Sequence, residues 1–572
     1  MRHRRALVDA DPAERPHRRL GRKSREGQEG RKSRRGRKGW SRLRAAAAAG
    51  ALVTAVLGAA PAPAAAAHAP VVTVEQGGLR GIEQHGVERF LGVPYAAPPV
   101  GRLRWKPPQP APRWSGTRSA TAAGAECPQP GAGGTAVGSE DCLYLNVYAP
   151  ARPAPSPRPV MVWIHGGSDI YGAGSLYDGS ALAARGFVVV TINYRLGALG
   201  FLGLPSLAAE SPDHVSGQYG LMDQQAALRW VHRNAAAFGG DARDVTLFGE
   251  SAGGAGVCAN LTSPTAAGLF QRAIAQSVCI DPTPSQRAAQ EQGTRIAHDI
   301  GCGTAKNAAA CLRRMPVAAV VHYQGEEWHA AQGAPLLPLP IDDALREGRY
   351  NHMPVLAGAT HDEGTTFIIQ GYQDNPLRPQ EYLPALVHHF GPNAAKAVMR
   401  HYPLSAYGGD PDRALSTAVG DGMFSCAVHR ANTYLQRTQS QPVYAYEFND
   451  RRPLPYAPGQ GGLGAFHGSE VMYVFQSYVD PFGRTRRPPF TPAQQALSDT
   501  MARYWTQFAR AGDPNGPRDP YWPPFTERSQ AVQSLSPRAV HPEHHFAAEH
   551  QCGFWIEMFE RHLIDGHLTL LR

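Results

Sequence analysis

Four short runs constrain this chain most: Val160 to Ile164, Phe187 to Ile192, Val245 to Phe248 and Val355 to Ala357 are almost continuously apolar, rich in β-branched residues and bounded by turn formers. A strand with one wet face alternates apolar and polar residues, whereas a strand that is apolar throughout is covered on both faces. Such strands belong in the interior of a sheet sandwiched between helices. Leu143 to Tyr148, by contrast, alternates, and helical periodicity runs through Tyr219 to Phe238 and Gln494 to Ala511. Strand and helix in alternation predict an α/β fold with a mostly parallel central sheet.

The net charge of +10 suggests a basic protein until it is located along the chain. Residues 1–44 hold 17 Arg and Lys against 5 Asp and Glu, and residues 45–67 carry no charge at all. The remaining 505 residues hold 40 basic and 42 acidic groups, so the body is close to neutral. A basic stretch, then the apolar Ala45 to Ala60, then the small residues Pro61 to Ala67 is the order of a secretion signal, with cleavage expected after Ala67. The apolar stretch is shorter than the ~20 strongly apolar residues a membrane span needs, so no stable anchor is expected. Residues 68–572 contain no repeat and no long linker, and are expected to form one large domain with insertions. All eight cysteines fall in that body, without a C-x-x-C pair. An even number behind an export signal points to disulfides, and hence to an extracellular protein.

Between the run ending at Phe248 and a helical stretch through Leu261 lies Gly249-Glu250-Ser251-Ala252-Gly253-Gly254. A serine presented on a sharp strand-to-helix turn needs small residues two before and two after it, because the turn has no room for side chains. In a chain with 61 glycines the pattern alone arises easily by chance, and a solvated serine in a glycine-rich loop is the plain alternative. Its position after a buried strand makes Ser251 a candidate nucleophile. Upstream, Val162-Trp163-Ile164 runs into His165-Gly166-Gly167-Ser168, a second strand end whose glycines would let backbone N–H groups face an oxyanion. The amide of Ala252 would add a donor.

Two segments make the reading specific. Glu140-Asp141-Cys142-Leu143-Tyr144-Leu145-Asn146-Val147 and Phe248 to Gly254 resemble the signature segments of the type-B carboxylesterase/lipase family, which includes acetylcholinesterase. Phe90 to Ala96, Asn193-Tyr194-Arg195, Phe270 to Ile274 and Tyr504-Trp505 through Asn515 extend the resemblance over nearly the whole body. The resemblance implies a single α/β-hydrolase domain of the secreted bacterial carboxylesterase kind, acting on a small-molecule ester. It places the catalytic histidine at His467, in Phe466-His467-Gly468-Ser469-Glu470, and the acid at Glu363 rather than the adjacent Asp362. Ser251, Glu363 and His467 then follow the nucleophile, acid, histidine order of that fold. By family position the oxyanion donors are the amides of Gly167, Ser168 and Ala252. Many relatives have Gly or Ala at 168, and a positive φ there would strain a serine.

The family's bridge positions match Cys127 with Cys142, Cys302 with Cys311, and Cys426 with Cys552. Cys258 and Cys279 remain, and a fourth bridge between them is expected, with free thiols as the alternative. The 14 residues between Cys127 and Cys142 include no aromatic, unlike the longer cholinesterase loop that holds a quaternary ammonium, which argues against a choline ester specialist. No phosphate-binding loop, nucleotide site or nucleic-acid motif is present, and neither cofactor nor metal is expected. His541-Pro542-Glu543-His544-His545 invites a metal reading, but the proline breaks helical ligand spacing and a solvated polar loop is expected instead. Glu250 is expected to be buried beside the reacting residues. A lipase for longer acyl chains, or a non-catalytic binding protein of the same fold, are the other readings, and the oligomeric state is open.

Overall fold

The computed structural model describes residues 69–304, 307–325, 327–455, 461–479 and 484–564. The expected leader and the expected cleavage after Ala67 lie outside the described residues. Among the described residues, eleven strands form one sheet. In chain order they are β1 (Ile82–Gln84), β2 (Val87–Pro94), β3 (Tyr144–Pro150), β4 (Arg158–Ile164), β5 (Val188–Ile192), β6 (Gly240–Glu250), β7 (Arg272–Gln276), β8 (Val355–Thr360), β9 (Val443–Phe448), β10 (Val532–Leu535) and β11 (Val540–Glu543). Their spatial order is β11-β10-β9-β8-β7-β6-β4-β5-β3-β2-β1. Every pair from β5 through β4, β6, β7, β8 and β9 to β10 is parallel. The pairs at the two edges are antiparallel.

The four apolar runs lie in β4, β5, β6 and β8, inside the parallel section, where both faces are covered. Trp163 of β4 shows the packing on one face: its ring centroid is 4.8 Å from Phe248 and 4.9 Å from Phe475. The helices include α1 (Tyr219–Asn234), α2 (Ala252–Thr262), α3 (Cys426–Thr438), α4 (Pro492–Ala511) and α5 (Cys552–Glu560). The periodicity read through Phe238 is divided, because Ala235–Phe238 tightens into a 3₁₀ turn that ends at Gly239 with φ 75°.

Local sequence sets these boundaries. In α4, Thr491 accepts from the Gln494 amide while the Gln494 side chain accepts from the Thr491 amide, and Gly512 ends the helix at φ 72°. A reciprocal cap of this kind contributes about 1 kcal/mol and fixes where the helix begins. Arg195, just after β5, meets Asp223 of α1 with two bonds, Nε to Oδ2 at 2.7 Å and Nη2 to Oδ1 at 2.8 Å, both groups buried. The fork fixes the loop after β5 against the helix.

The eight cysteines form four bridges, Cys127–Cys142, Cys258–Cys279, Cys302–Cys311 and Cys426–Cys552. Cys258–Cys279 ties α2 to the segment following β7. The segment His541 to His545 departs from expectation: its first half is not a loop but β11, an antiparallel edge strand beside β10. Its histidines are exposed, and His544 Nδ1 donates to the carbonyl of Ser529 at 2.7 Å. No helix among the described residues is long and apolar enough to cross a membrane.

Candidate active site

β6 runs straight into Ser251, whose backbone turns through φ 58° and ψ −128° before α2 begins. That conformation costs a non-glycine residue roughly 1–3 kcal/mol and persists only where the surroundings enforce it. Here they do. A Cβ on Gly249 would stand 2.4 Å from the carbonyl oxygen of Gly253, and one on Gly253 would stand 2.1 Å from that of Ile164. The amide of Ser251 is held by Gln276 of β7 at 3.0 Å.

The end of β4 approaches the same point. A Cβ on Gly166 would lie 2.8 Å from Ser251 Cβ, so only glycine lets this loop come so close. Gly167 has φ 106° and its carbonyl accepts the amides of Ile170 and Tyr171, both at 2.9 Å. Ser168 sits at φ 56°, the strained value that glycine would take without cost. His165 anchors the loop from behind: its Nδ1 donates to the Gly166 carbonyl at 2.8 Å, and its ring stacks on Tyr194 at 4.5 Å. Burial lowers the His165 pKa to about 4, so this histidine is a neutral strut at ordinary pH. Among the described residues, the amides of Gly167, Ser168 and Ala252 have no protein acceptor.

Glu363 occupies the turn after β8 and is fully buried. Its Oε1 accepts the amide of Thr360 at 2.7 Å, and its Oε2 is in close hydrogen-bonded contact with His467 Nδ1. Asp362, one residue earlier, points elsewhere: its Oδ1 meets His361 at 2.9 Å and Arg451 at 3.0 Å, and its Oδ2 accepts the Ala465 amide at 2.7 Å. Asp362 thus fastens the turn after β8 to the segment that carries His467, and leaves the histidine to Glu363. The His467 ring packs against both Phe367 and Phe424, at centroid distances of 5.0 and 4.9 Å, while those two rings stack on each other at 5.3 Å.

The outward nitrogen of His467, Nε2, lies 3.2 Å from Oε1 of Glu250, the residue before Ser251. It has no hydrogen-bond partner, so the Ser251 hydroxyl is not engaged with it in this structure. The local field is strongly negative. Burial opposes a charged His467, but the carboxylates of Glu250 and Glu363 outweigh it and raise the pKa to about 9. Burial in turn holds the Glu250 carboxyl above the usual carboxylate range, and also that of Glu470, whose Oε1 accepts from Gln276 at 3.0 Å.

Ser168, Ser251 and Ala252 open onto one cavity of about 270 Å³, walled by apolar side chains such as Val278, Trp328 and Phe424. Its lining also holds two ion pairs, His329 with Asp281 at 2.8 Å and Arg430 with Asp342 at 3.4 Å.

A profile of the carboxylesterase family matches residues 68–555. The chain belongs to the carboxylesterase family. Among its relatives, Fumonisin B1 esterase of Sphingopyxis macrogoltabida is 36% identical over 80% of this chain and 85% of its own. Para-nitrobenzyl esterase of Bacillus subtilis (strain 168) is 36% identical, over 81% and 94%. Human Carboxylesterase 3 is 35% identical, over 80% and 84%. Membership makes this protein a carboxylic ester hydrolase and its sheet that of an α/β-hydrolase.

Within this carboxylesterase site, three contributors are not apparent from the linear chain. His165 and Tyr194 support the glycine loop, and Glu470 adds a third buried carboxyl near His467. Tyr194 and Glu470 lie inside segments that resemble the family and His165 beside the glycine pair, but only the folded packing gives each its partner.

Proposed function

We propose that this carboxylesterase works through an acyl-enzyme on Ser251, with His467 as general base and acid and Glu363 as its orienting partner. His467 Nε2 takes the Ser251 proton as Oγ attacks the ester carbonyl, and Glu363 stabilises the resulting imidazolium through Nδ1–H. The oxyanion forms against the amides of Gly167, Ser168 and Ala252. Each such donor is worth ~2.7–4 kcal/mol in the transition state, because it is already oriented and cut off from water. His467 then gives its proton to the leaving alcohol. Water repeats the sequence on the acyl-enzyme and releases the acid. The observation that carries this reading is the pairing of a strained serine on the β6–α2 turn with three acceptor-free amides.

The substrates are short- or medium-chain esters. Sites for drug-sized ligands span roughly 300–1,000 Å³, and a cavity of about 270 Å³ suits smaller esters than a long-chain lipase takes. Residues 1–67 are a leader removed on export, and the four bridges are formed in the oxidising exterior. N-terminal sequencing of secreted protein should begin at His68, and an intact Met1 would contradict that. The catalytic assignment is tested by reacting the enzyme with an organophosphate and sequencing the labelled peptide. A single adduct on Ser251 is expected, and modification elsewhere with loss of activity would refute it.

A further inference from the structure

Away from the cavity, on the other side of the Glu363 turn, two histidines are oriented in the same way. His361 follows β8 directly, and its Nδ1 is held by Asp362 Oδ1 at 2.9 Å while Nε2 faces Glu549 Oε1 at 3.0 Å. His550 lies just before α5, and its Nδ1 is held by Asp421 Oδ1 at 2.6 Å while Nε2 faces Glu447 Oε1 of β9 at 2.8 Å. The two rings are 5.2 Å apart, and ligand atoms of His361, Glu447 and His550 all lie within 4.8 Å of one another. A carboxylate on one ring nitrogen is how metal-binding histidines are oriented and kept basic, which makes Nε2 of each ring the nitrogen that would bind once its proton leaves.

We propose that His361, Glu447 and His550 form a binding site for one divalent transition-metal ion, with Glu549, now held at His361 Nε2, swinging in as the fourth donor and Zn²⁺ as the ion the set suits best. Two imidazole nitrogens and two carboxylate oxygens make a tetrahedral set. Imidazole favours zinc over calcium or magnesium, which prefer oxygen alone. The charge balances. Each Nε2···O contact shares one proton, and a single divalent ion replaces both, so binding releases two protons to solvent and leaves the net charge of the cluster unchanged. Metal–ligand distances of roughly 2.0–2.2 Å require the donors to draw closer together than they stand here. The more exposed members can move: the side chain of Glu549 is 50% exposed and that of His361 17%, while those of His550 and Glu447 are fixed in the interior at 2% each. These residues are scattered from position 361 to 550 and form no spaced motif, so the linear chain gives no sign of the site.

The site joins the turn that carries Glu363 to β9 and to the segment before α5, so the bound ion would cross-link three parts of the chain. The test is calorimetric titration of EDTA-treated, dialysed full-chain protein with ZnCl₂, repeated for H361Q and E549Q, each at the more accessible side of the cluster. One equivalent is expected in the parent chain. Affinity should fall about 100-fold in H361Q and at least ~10-fold in E549Q. Cobalt substituted for zinc should show visible bands of a tetrahedral ion in the parent and lose them in H361Q. No bound equivalent in the parent, or an isotherm that neither substitution alters, overturns the proposal. The second result would assign zinc to the exposed His541, His544 and His545 instead.

Discussion

His467 presents Nδ1 to Glu363 and Nε2 to Glu250, so that one buried imidazole stands between two carboxyl groups, only one of which, Glu363, holds it in a close hydrogen bond. Glu250 sits 3.2 Å away at the Nε2 side, where the proposed mechanism delivers the Ser251 proton. Its carboxylate raises the histidine pKa without holding the ring in the reactive tautomer.

That arrangement predicts a displaced pH profile. The proposed mechanism needs neutral His467, so kcat/KM should fall as pH drops through its pKa, which the two carboxylates lift toward 9. The E250Q substitution removes the largest attractive charge, so imidazolium is less favoured and the acid limb moves to lower pH. kcat/KM for a neutral p-nitrophenyl ester, followed from pH 5 to pH 10, checks this. An acid limb that stays in place contradicts the role given to Glu250.

The neighbouring acids should separate cleanly. E363Q should lower kcat about 10⁴-fold, the cost of a mis-set imidazole tautomer. D362N loosens the contact between the turn after β8 and the Ala465 amide, and should lower kcat by less than about tenfold while reducing thermal stability. Steady-state kinetics beside thermal melts distinguish the two. Equal kinetic losses would reverse the assignment of the acid.

The turn at Ser251 has no space to spare. G253A places a methyl 2.1 Å from the Ile164 carbonyl, a backbone atom of β4 that has nowhere to go. A stability loss on the order of 2–4 kcal/mol is expected in urea unfolding, together with loss of ester hydrolysis. A variant as stable as the parent would mean that the turn is looser than described.

The bridge between α3 and α5 closes the longest loop, with a sequence separation of 126. Replacing Cys426 and Cys552 together by alanine should cost about 4–5 kcal/mol, since loop closure scales with length. Cys302–Cys311, with a separation of 9, should cost less. Urea midpoints for the two double variants give the order, and a larger loss at the shorter bridge would contradict it.

The centre of the sheet was legible because β4, β5, β6 and β8 are covered on both faces and therefore almost wholly apolar. β9 and β10 were not: Glu447, Gln533 and Ser534 interrupt them yet are buried, as where Glu447 accepts from His550. A polar residue that finds its partner across the fold looks like surface in the linear chain. The turn at Ser251 could be read because its steric demand is local, falling on Gly249 and Gly253. Glu363 and His467 could not be picked from spacing alone, since the chain has 23 histidines and places Asp362 beside Glu363. Family resemblance named them, and the hydrogen bonds of Asp362 give the physical reason one acid turns toward His467 and the other away.

The most direct measurement is the rate of S251A on a p-nitrophenyl ester, with folding verified by circular dichroism. The account predicts a folded protein whose kcat falls by about 10⁶-fold, the scale on which a serine nucleophile acts together with its base. A folded S251A that retains parental activity would contradict it.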